Sequence, residues 1–324
     1  MAEQYINIMT SCDETLARQL PVTLQSIHEN ITTGPVNFYL FHTTISEGTI
    51  KRLEKLCSYY GNIFFHEIVI SDTEKYLEIA KYGGGWCAEA YYSLRAQDYL
   101  PLEMERILYL DAGDTLVVKD IDSYYFSDFD DKSLVVTAGR FKGVNMQGQL
   151  QTYETEDLWD LNLLPGILCG VFNSGSYVIN LNKSRIDGYT LDDYIYLAKS
   201  LAATLGRTEK VYIGDQGLLS AAFLGDVKYY AYPQIADLWN MPYDFGVWYF
   251  ERMNSLPTYD IHIIHFSGVP FKPWNGKYPI FLKEFQTQGK EHMLNELKIG
   301  QAEYYYLWHE YAIKADEALN HISK

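Results

Sequence analysis

Two carboxylates follow a short apolar run in the first half of the chain. The run is Ile107–Leu110, and Asp111-Ala112-Gly113-Asp114 comes directly after it. A short apolar run is typical of a strand buried on both faces, so both acids are expected at a strand end. Carboxylates separated by small residues can face one hard divalent cation. The alternative is a turn with an aspartate cap, but the mutual repulsion of the two acids favours the cation.

His265 is the third group that could bind a metal, because it follows another apolar segment, Ile261–Ile264. A single histidine in such a place is also typical of a hydrogen-bonded core residue. The loop after it contains Gly268 and two prolines, which fix its geometry. Lys272 in that loop could meet a phosphate as a point charge.

Two polar segments lie beside apolar ones later in the chain. They are Asn173-Ser174-Gly175 and the stretch from Gly214 to Gly217, which contains Asp215 and Gln216. Each segment alone indicates a turn.

The first 120 residues alternate strand and helix signals. Strands are predicted at Tyr5–Thr10, Val36–Phe41, Ile63–Ile70 and Ile107–Leu110. Helices are predicted with Pro21 in a first turn, with Ser46 as an N-cap, and over Glu89–Leu100 up to Pro101. This alternation predicts an α/β fold with a mainly parallel sheet flanked by helices. Because ligands bind outside the carboxyl ends of such strands, Ser11–Thr15 and Asp111–Thr115 become the candidate site.

Beyond residue 120 the pattern is less regular. The later predictions are a strand pair or strand-turn over Val171–Leu181, a helix over Gly217–Leu224, a strand over Asp260–Phe266 and helical spacing from about Phe281. We expect one catalytic domain over residues 1–274 and a C-terminal helical extension over residues 275–324, packed on that domain.

Composition narrows the function classes. The formal net charge is −16 and no basic patch offsets it, which argues against a nucleic-acid partner. Four widely spaced cysteines without a CxxC pair predict reduced thiols. Neither common phosphate loop, GxGxxG or GxxxxGK[ST], occurs. The first residues lack a signal-peptide pattern, and no apolar run reaches the ~18–20 residues that span a bilayer, so we expect a cytoplasmic protein.

In order and spacing, the polar segments resemble those of glycosyltransferase family 8. Members of that family are retaining enzymes with a GT-A fold, a Mn²⁺-dependent DxD motif and nucleotide-sugar donors; bacterial lipopolysaccharide galactosyl- and glucosyltransferases and the glycogenins are typical. The resemblance runs from about Ile6 to Trp274. The segments that carry it are Thr10–Glu14, Ile107–Asp114, Phe172–Gly175, Gly214–Gln216 and His265–Gly268.

The resemblance implies a role for each matching residue. The implied ligands of Mn²⁺ (or Mg²⁺) are Asp111, Asp114 and His265. The implied nucleotide-binding residues are Ser11, Asp13, Thr15, Ala112, Gly268 and Lys272. The implied donor-sugar-binding residues are Asn173, Ser174, Asp215 and Arg95. The implied catalytic residues are Gln216, beneath the anomeric carbon, and Asp215.

The family also implies what reaction to expect. We expect transfer of a hexose, glucose or galactose, from a UDP-sugar to a carbohydrate or lipid-linked hydroxyl acceptor, with retention at the anomeric carbon. Residues 139–165 are our candidate for an acceptor lid. The aromatic segment from Phe281 carries acids among its rings, so it gains little from anionic lipids and we expect no strong membrane binding.

Four positions depart from the family pattern. Two residues, not one, separate the acids of the DxD motif, and Gly113 permits the bulge that this needs. Leu16 stands where the family has a tyrosine that stacks on uracil, and Gly217 replaces the second acid of a DQD motif. Ser93 stands where the family has an arginine near the diphosphate; Arg95 or Lys142 could take its place.

Two other functions were weighed. The segment after Leu110 superficially resembles the DxDxT motif of haloacid-dehalogenase-type phosphatases, but the residue two positions after Asp111 is Gly113 and not an acid. A catalytically degenerate sugar-nucleotide or glycan-binding module would explain Leu16, Ser93 and the stretched acid motif.

Overall fold

The computed structural model describes residues 5–82, 86–137, 140–144, 150–154, 172–204, 214–230, 234–236, 262–266, 272–274 and 302–323. The strands in these ranges are β1 (Ile6–Ser11), β2 (Val36–His42), β3 (Ile63–Val69), β4 (Arg106–Leu110), β5 (Thr115–Val117), β6 (Leu134–Thr137), β7 (Arg140–Val144), β8 (Leu150–Glu154), β9 (Ser176–Asn180), β10 (Val227–Tyr230), β11 (Gln234–Ala236) and β12 (Ile263–His265).

Seven strands form the main sheet, in the order β10-β6-β9-β4-β1-β2-β3. All of them run parallel except β9, which is antiparallel to both β4 and β6. Central strands β1 and β4 are buried on both faces: Ile8 and Leu108 are enclosed on one face, and their neighbours Met9 and Tyr109 on the other. The mainly parallel sheet confirms the α/β prediction, since parallel strands need helical crossovers that cover both faces.

Two smaller sheets complete the strands. One has the order β11-β12-β5, with β12 antiparallel to β5, and the other is the pair β7-β8. The three-stranded sheet brings the residues near 265 back to the residues near 115, which are about 150 positions earlier.

Helices cover the main sheet. They are α1 (Glu14–Ala17), α2 (Leu20–Asn30), α3 (Glu47–Tyr60), α4 (Thr73–Tyr82), the 3₁₀ segment Ala88–Asp98, α5 (Asp122–Tyr125), α6 (Leu181–Asp187), α7 (Leu191–Thr204), α8 (Gly214–Ala222) and α9 (Ala302–Ile322). Pro21 lies in the first turn of α2, and the Ser46 hydroxyl accepts a hydrogen bond from the Thr49 amide at the start of α3. Both local signals behave as the sequence predicts.

Several elements differ from the sequence predictions, and others, such as β6, β10 and α7, were not predicted. Val171–Leu181 was expected to hold a strand pair or strand-turn and contains the single strand β9. The helix expected from Gly217 begins at Gly214, and Glu89–Leu100 is a 3₁₀ segment interrupted at Arg95. Helix α4 was not predicted, although Tyr76, Ile79 and Ala80 give it an apolar face at helical spacing.

The last helix packs on the amino-terminal half of the chain. Helix α9 contacts α2 and α3. Trp308 and Tyr311 are buried, and the Asn30 side-chain amide donates to the Tyr311 hydroxyl at 2.7 Å. The stretch 275–301, which follows the predicted boundary, lies outside the described residues, so that boundary stays a prediction. None of the described helices is long and apolar enough to cross a membrane.

Candidate active site

The loop between β4 and β5 carries both acids. The Asp111 amide donates to the Gly175 carbonyl on the neighbouring β9 side, and the Thr115 hydroxyl donates to the Asp111 carbonyl at 2.6 Å. Gly113 has a φ of +75°, and a Cβ there would lie 2.6 Å from the Cβ of Gln19. The loop therefore turns tightly at a position that only glycine fits, and the turn places Asp114 close to Asp111.

His265 lies against both acids because β12 pairs with β5. In that pairing His265 is opposite Thr115, one residue after Asp114. The imidazole Nε2 is 3.1 Å from Oδ2 of Asp111 and 3.8 Å from Oδ2 of Asp114. Ligand atoms of the three side chains lie within 4.8 Å of one another. The structure thus brings together the three residues that the sequence predicted as metal ligands.

Asn173 fixes the orientation of the imidazole. Its side-chain oxygen lies 2.9 Å from Nδ1 of His265 and also accepts a hydrogen bond from the Gly175 amide at 2.9 Å. An amide oxygen can only accept, so Nδ1 of His265 carries the hydrogen and Nε2 is the atom that faces the acids.

Charge is balanced within this group. Burial alone would lower the pKa of His265, but Asp114 and Asp111 outweigh burial and raise the pKa to about 9. Burial opposes ionisation of Asp114, and Lys272 and His265 outweigh it to hold the Asp114 pKa below its ordinary value. The Lys272 ammonium donates to the Asp114 carboxylate and to the Phe266 carbonyl. The two acids therefore stabilise positive charge at this place, such as a proton on the imidazole or a bound cation in its stead.

This donor set fits a hard divalent cation. Two carboxylates and one imidazole nitrogen are ligands that Mn²⁺ and Mg²⁺ accept, with the imidazole favouring the transition metal. Oδ1 of Asp114 is buried and has no hydrogen-bond partner in the described ranges. An unpaired carboxylate oxygen in such a place costs free energy that a bound cation would recover.

Asp215 and Gln216 lie next to this group, in the first turn of α8. The Gln216 side-chain oxygen accepts from the Ser174 amide at 3.2 Å and from the Asn173 side-chain nitrogen at 3.5 Å. Burial and the nearby charge of Asp111 raise the pKa of Asp215 to about 6, against the opposing effect of a hydrogen bond from Ser174. The segments 173–175 and 214–217, which each indicated only a turn, thus meet at one site.

A family model for glycosyl transferase family 8 matches residues 7–277 of the chain. This chain belongs to glycosyl transferase family 8. The match spans most of the sequence and includes Asp111, Asp114, Asp215, Gln216 and His265. The alternative of a haloacid-dehalogenase-type phosphatase is therefore not supported. No curated protein matches the chain in sequence.

Solved structures show that this family 8 glycosyltransferase has the GT-A fold. It is similar to the galactosyltransferase LgtC in complex with donor and acceptor sugar analogs, with a TM-score of 0.59 and 19% identity over 94% of this chain and 95% of that one. It is similar to GlyE of Streptococcus pneumoniae, with a TM-score of 0.58 and 15% identity over 97% of this chain and 63% of that one. Mouse xyloside xylosyltransferase 1 has a TM-score of 0.53 and 16% identity, over 81% of this chain and 97% of that one.

Four of the predicted nucleotide-binding residues of the glycosyltransferase lie in the acid loop (Ala112) and from the end of β1 into α1 (Ser11, Asp13 and Thr15). Asp13 is the N-cap of α1 and accepts from the Leu16 amide at 2.9 Å. Ser11 and Ala112 are buried, whereas Thr15 is exposed. Gly268 lies outside the described residues. The nucleotide-binding roles of these residues stay predictions.

Arg95 is placed away from the acids. Its guanidinium donates to both carboxylate oxygens of Asp98 and to the Tyr189 carbonyl. Ser93, two residues earlier, is buried and accepts a hydrogen bond from the Tyr177 hydroxyl at 2.7 Å. The guanidinium of Arg95 is therefore engaged with Asp98 and Tyr189, and Ser93 carries no charge, so neither residue supplies the positive group that the family has near the diphosphate. For Lys142, the other candidate, the structure describes only the backbone.

Two tyrosines at the site were missed by the sequence analysis. Tyr109 donates to Oδ1 of Asp111 at 2.9 Å, and its ring stacks on that of Tyr177 at a centroid distance of 4.9 Å. The spacing carried a signal for Tyr109, because residues two apart on a strand share a face. No local signal points to Tyr177, which reaches Tyr109 through the pairing of β9 with β4.

Proposed function

We propose that the chain is a metal-dependent, retaining glycosyltransferase that moves a hexose, glucose or galactose, from a UDP-sugar to a glycan or other hydroxyl acceptor. The observation that carries the proposal is the position of Asn173. Its side chain contacts both Nδ1 of His265 and the side-chain oxygen of Gln216. One residue thereby holds the metal-binding group and the candidate catalytic amide in a fixed relation.

The acids and the histidine hold the cation in this proposal. A divalent cation, Mn²⁺ or Mg²⁺, would neutralise the charge that grows on the departing diphosphate. The Lys272 ammonium donates to Asp114 and therefore lies beside the proposed cation site. From that position it would stabilise a bound phosphate as a point charge. Ser11, Asp13, Thr15 and Ala112 line the neighbouring strand ends, where a nucleotide binds in open α/β sheets.

Retention requires either a covalent glycosyl intermediate or attack by the acceptor hydroxyl on the face from which the leaving group departs. The first route needs a nucleophile beneath the anomeric carbon, usually a carboxylate. The residue matched to that position is Gln216, whose amide is a poor nucleophile. We therefore favour front-face transfer, with Gln216 stabilising positive charge at the anomeric carbon and the departing phosphate acting as base.

Asp215 is assigned to the donor sugar. Its carboxylate already accepts a hydrogen bond from Ser174, and carboxylates are good acceptors for sugar hydroxyls. Asn173 and Ser174 both contact Gln216, the residue after Asp215, and we assign them to the same donor-sugar site. Arg95, expected here from the family, would have to leave Asp98 to take part.

The test is release of UDP from a panel of nucleotide-sugars, with and without Mn²⁺. We expect UDP-glucose or UDP-galactose to be hydrolysed slowly by the wild-type protein, only when Mn²⁺ is present, and not by the Asp111→Asn variant. Release of UDP in the presence of a chelator would contradict the metal dependence. Tight donor binding by calorimetry without any UDP release would instead favour the degenerate binding module.

A further inference from the structure

Three side chains form a chain of contacts behind Asp111. The Tyr177 hydroxyl donates to the Ser93 hydroxyl at 2.7 Å. The Tyr177 ring stacks on the Tyr109 ring, with an interplanar angle of 22°. The Tyr109 hydroxyl donates to Oδ1 of Asp111 at 2.9 Å. The 3₁₀ segment, β9 and β4 thus each contribute one residue to the support of a single carboxylate.

The geometry leaves one oxygen of Asp111 for the metal site. Tyr109 uses Oδ1, whereas Oδ2 is the oxygen that lies 3.1 Å from Nε2 of His265. The carboxylate plane is therefore set by a hydrogen bond at its far oxygen. Outer partners of this kind orient metal ligands and make them better donors.

Burial makes this arrangement rigid. Ser93, Tyr109 and Tyr177 are each no more than 4% exposed, so water has no access that would let it replace their hydroxyl groups. Tyr109 and Tyr177 are directly opposite each other on adjacent antiparallel strands, which fixes the stacking of their rings. Ser11 lies 3.5 Å from the Tyr109 hydroxyl and limits its movement on the other side.

We infer that Tyr109 is a positioning residue for the cation-binding carboxylate of Asp111, and that Tyr177 and Ser93 hold Tyr109 in place. The inference rests on the proposed function, because it assumes that Asp111 binds a cation. It also gives the serine at position 93 a role, because its hydroxyl accepts from Tyr177, whereas an arginine there could only donate.

Direct binding of Mn²⁺, measured by calorimetry or by the electron paramagnetic resonance signal of free Mn²⁺, tests the inference without turnover. We expect Tyr109→Phe to weaken Mn²⁺ binding by about 10–100-fold, the usual effect of losing an outer partner. Tyr177→Phe and Ser93→Ala should each weaken it several-fold. Because these two changes break the same hydrogen bond, the double variant should bind Mn²⁺ no worse than either single variant.

Tyr60→Phe is the matched control. Tyr60 is also buried and donates one hydrogen bond, to Gln25 at 2.7 Å, far from the acids in α3. We expect it to lower the melting temperature about as much as Tyr109→Phe does and to leave Mn²⁺ affinity unchanged. If Tyr109→Phe does not fold, the Tyr177 and Ser93 variants give the answer.

Each outcome has one meaning. Wild-type Mn²⁺ affinity in Tyr109→Phe, or in both Tyr177→Phe and Ser93→Ala, overturns the inference while the proposed function stands. Absence of Mn²⁺ binding by the wild-type protein, or binding unaffected by Asp111→Asn, overturns the proposed metal site and the inference together. An equal loss of affinity in Tyr60→Phe would show a general packing effect and also overturns the inference.

Discussion

Gly175 and His265 are in direct contact, backbone against imidazole. A Cβ on Gly175 would lie 2.2 Å from Nδ1 of His265, well inside the closest approach of a Cβ to a non-bonded heavy atom. The same imidazole nitrogen is bonded to Asn173, so the ring has no room to move aside without losing that bond. The absence of a side chain at position 175 is therefore a condition for the observed position of His265 beside Asp111 and Asp114.

We expect Gly175→Ala to displace His265 and to weaken Mn²⁺ binding by at least the ~10–100-fold that loss of a partner orienting a ligand costs. The matched control is Gly48→Ala in α3, where nothing lies within 4 Å of the added methyl group. That change should leave Mn²⁺ affinity as it is and keep or raise stability, by up to ~1 kcal/mol. Calorimetric Mn²⁺ titration and thermal melting check both variants, and normal Mn²⁺ binding by Gly175→Ala would refute the steric argument.

Asp114→Asn should reduce Mn²⁺-dependent turnover to background. The change removes one anionic ligand and leaves Lys272 beside a neutral amide, so both the cation and the charge balance are lost. Asp120→Asn is the control, because Asp120 caps the Asp122 amide and contacts Thr33, outside the metal-binding group. Turnover assays at several Mn²⁺ concentrations distinguish the two; full activity of Asp114→Asn would mean that another residue supplies the second acid.

Local signals in the sequence predicted half of the twelve described strands, namely β1 to β4, β9 and β12, and the N-cap at Ser46. Ser46 and the strands from Val36 and Ile63 needed only nearby residues to be recognised. Contacts made by strand register could not be read in this way. Tyr177 meets Tyr109 because β9 happens to pair antiparallel with β4, and a shift by one residue would point its ring to the other face.

The acid group was predictable only in part. The resemblance to glycosyltransferase family 8 predicted that Asp111, Asp114 and His265 belong to one site. The pairing of β12 with β5 brings these three residues together in the structure. The salt bridge between Arg95 and Asp98 was not predicted. A sequence does not show whether an arginine pairs with an acid three residues away or reaches a distant site, because that depends on the local backbone geometry. The two-residue spacing of the acids, which departs from the DxD pattern, is accommodated by the positive φ of Gly113.

Gln216→Ala should lower kcat without eliminating it. If the amide stabilises charge at the anomeric carbon, its loss should cost about 10²–10³ in turnover, as for one oxyanion-hole donor. Steady-state kinetics with saturating donor and Mn²⁺ measure this. A variant with no detectable residual activity would point to an essential chemical role and count against front-face transfer.

Asp215→Asn should weaken turnover at least as much as Gln216→Ala does. The amide keeps the shape of the side chain but removes the negative charge and one acceptor that the donor hydroxyls would use. Mass spectrometry of the wild-type protein mixed with donor gives a second, independent measurement. A glycosyl adduct trapped on Asp215 would show double displacement and overturn the front-face proposal.

Because His309 is buried, we expect the protein to lose stability in mild acid. It is 2% exposed, neither ring nitrogen has a hydrogen-bond partner in the described part of the chain, and burial lowers its pKa to about 4. The unfolded chain takes up a proton near pH 6.5 and the folded one only near pH 4, so stability should fall as the pH drops through this window. The full effect is roughly 3 kcal/mol.

Replacing this histidine tests the cause. His309→Leu, similar in volume and without a titrating group, should be as stable as the wild-type protein or more stable at pH 7. The difference in stability between pH 7 and pH 4.5 should shrink in the variant, as measured by denaturant unfolding at each pH. An unchanged pH dependence in the variant would assign the acid sensitivity to other groups.

The indole of Trp308 in α9 donates to the carbonyl of Gly113, a residue 195 positions earlier in the chain. During translation, at about 5–20 residues per second, the acid loop therefore waits roughly 10–40 s for this partner. Through that interval the nascent chain has both aspartates but not the contact that ties their turn to the last helix. Formation of the turn between the two aspartates is in this way linked to the synthesis of α9.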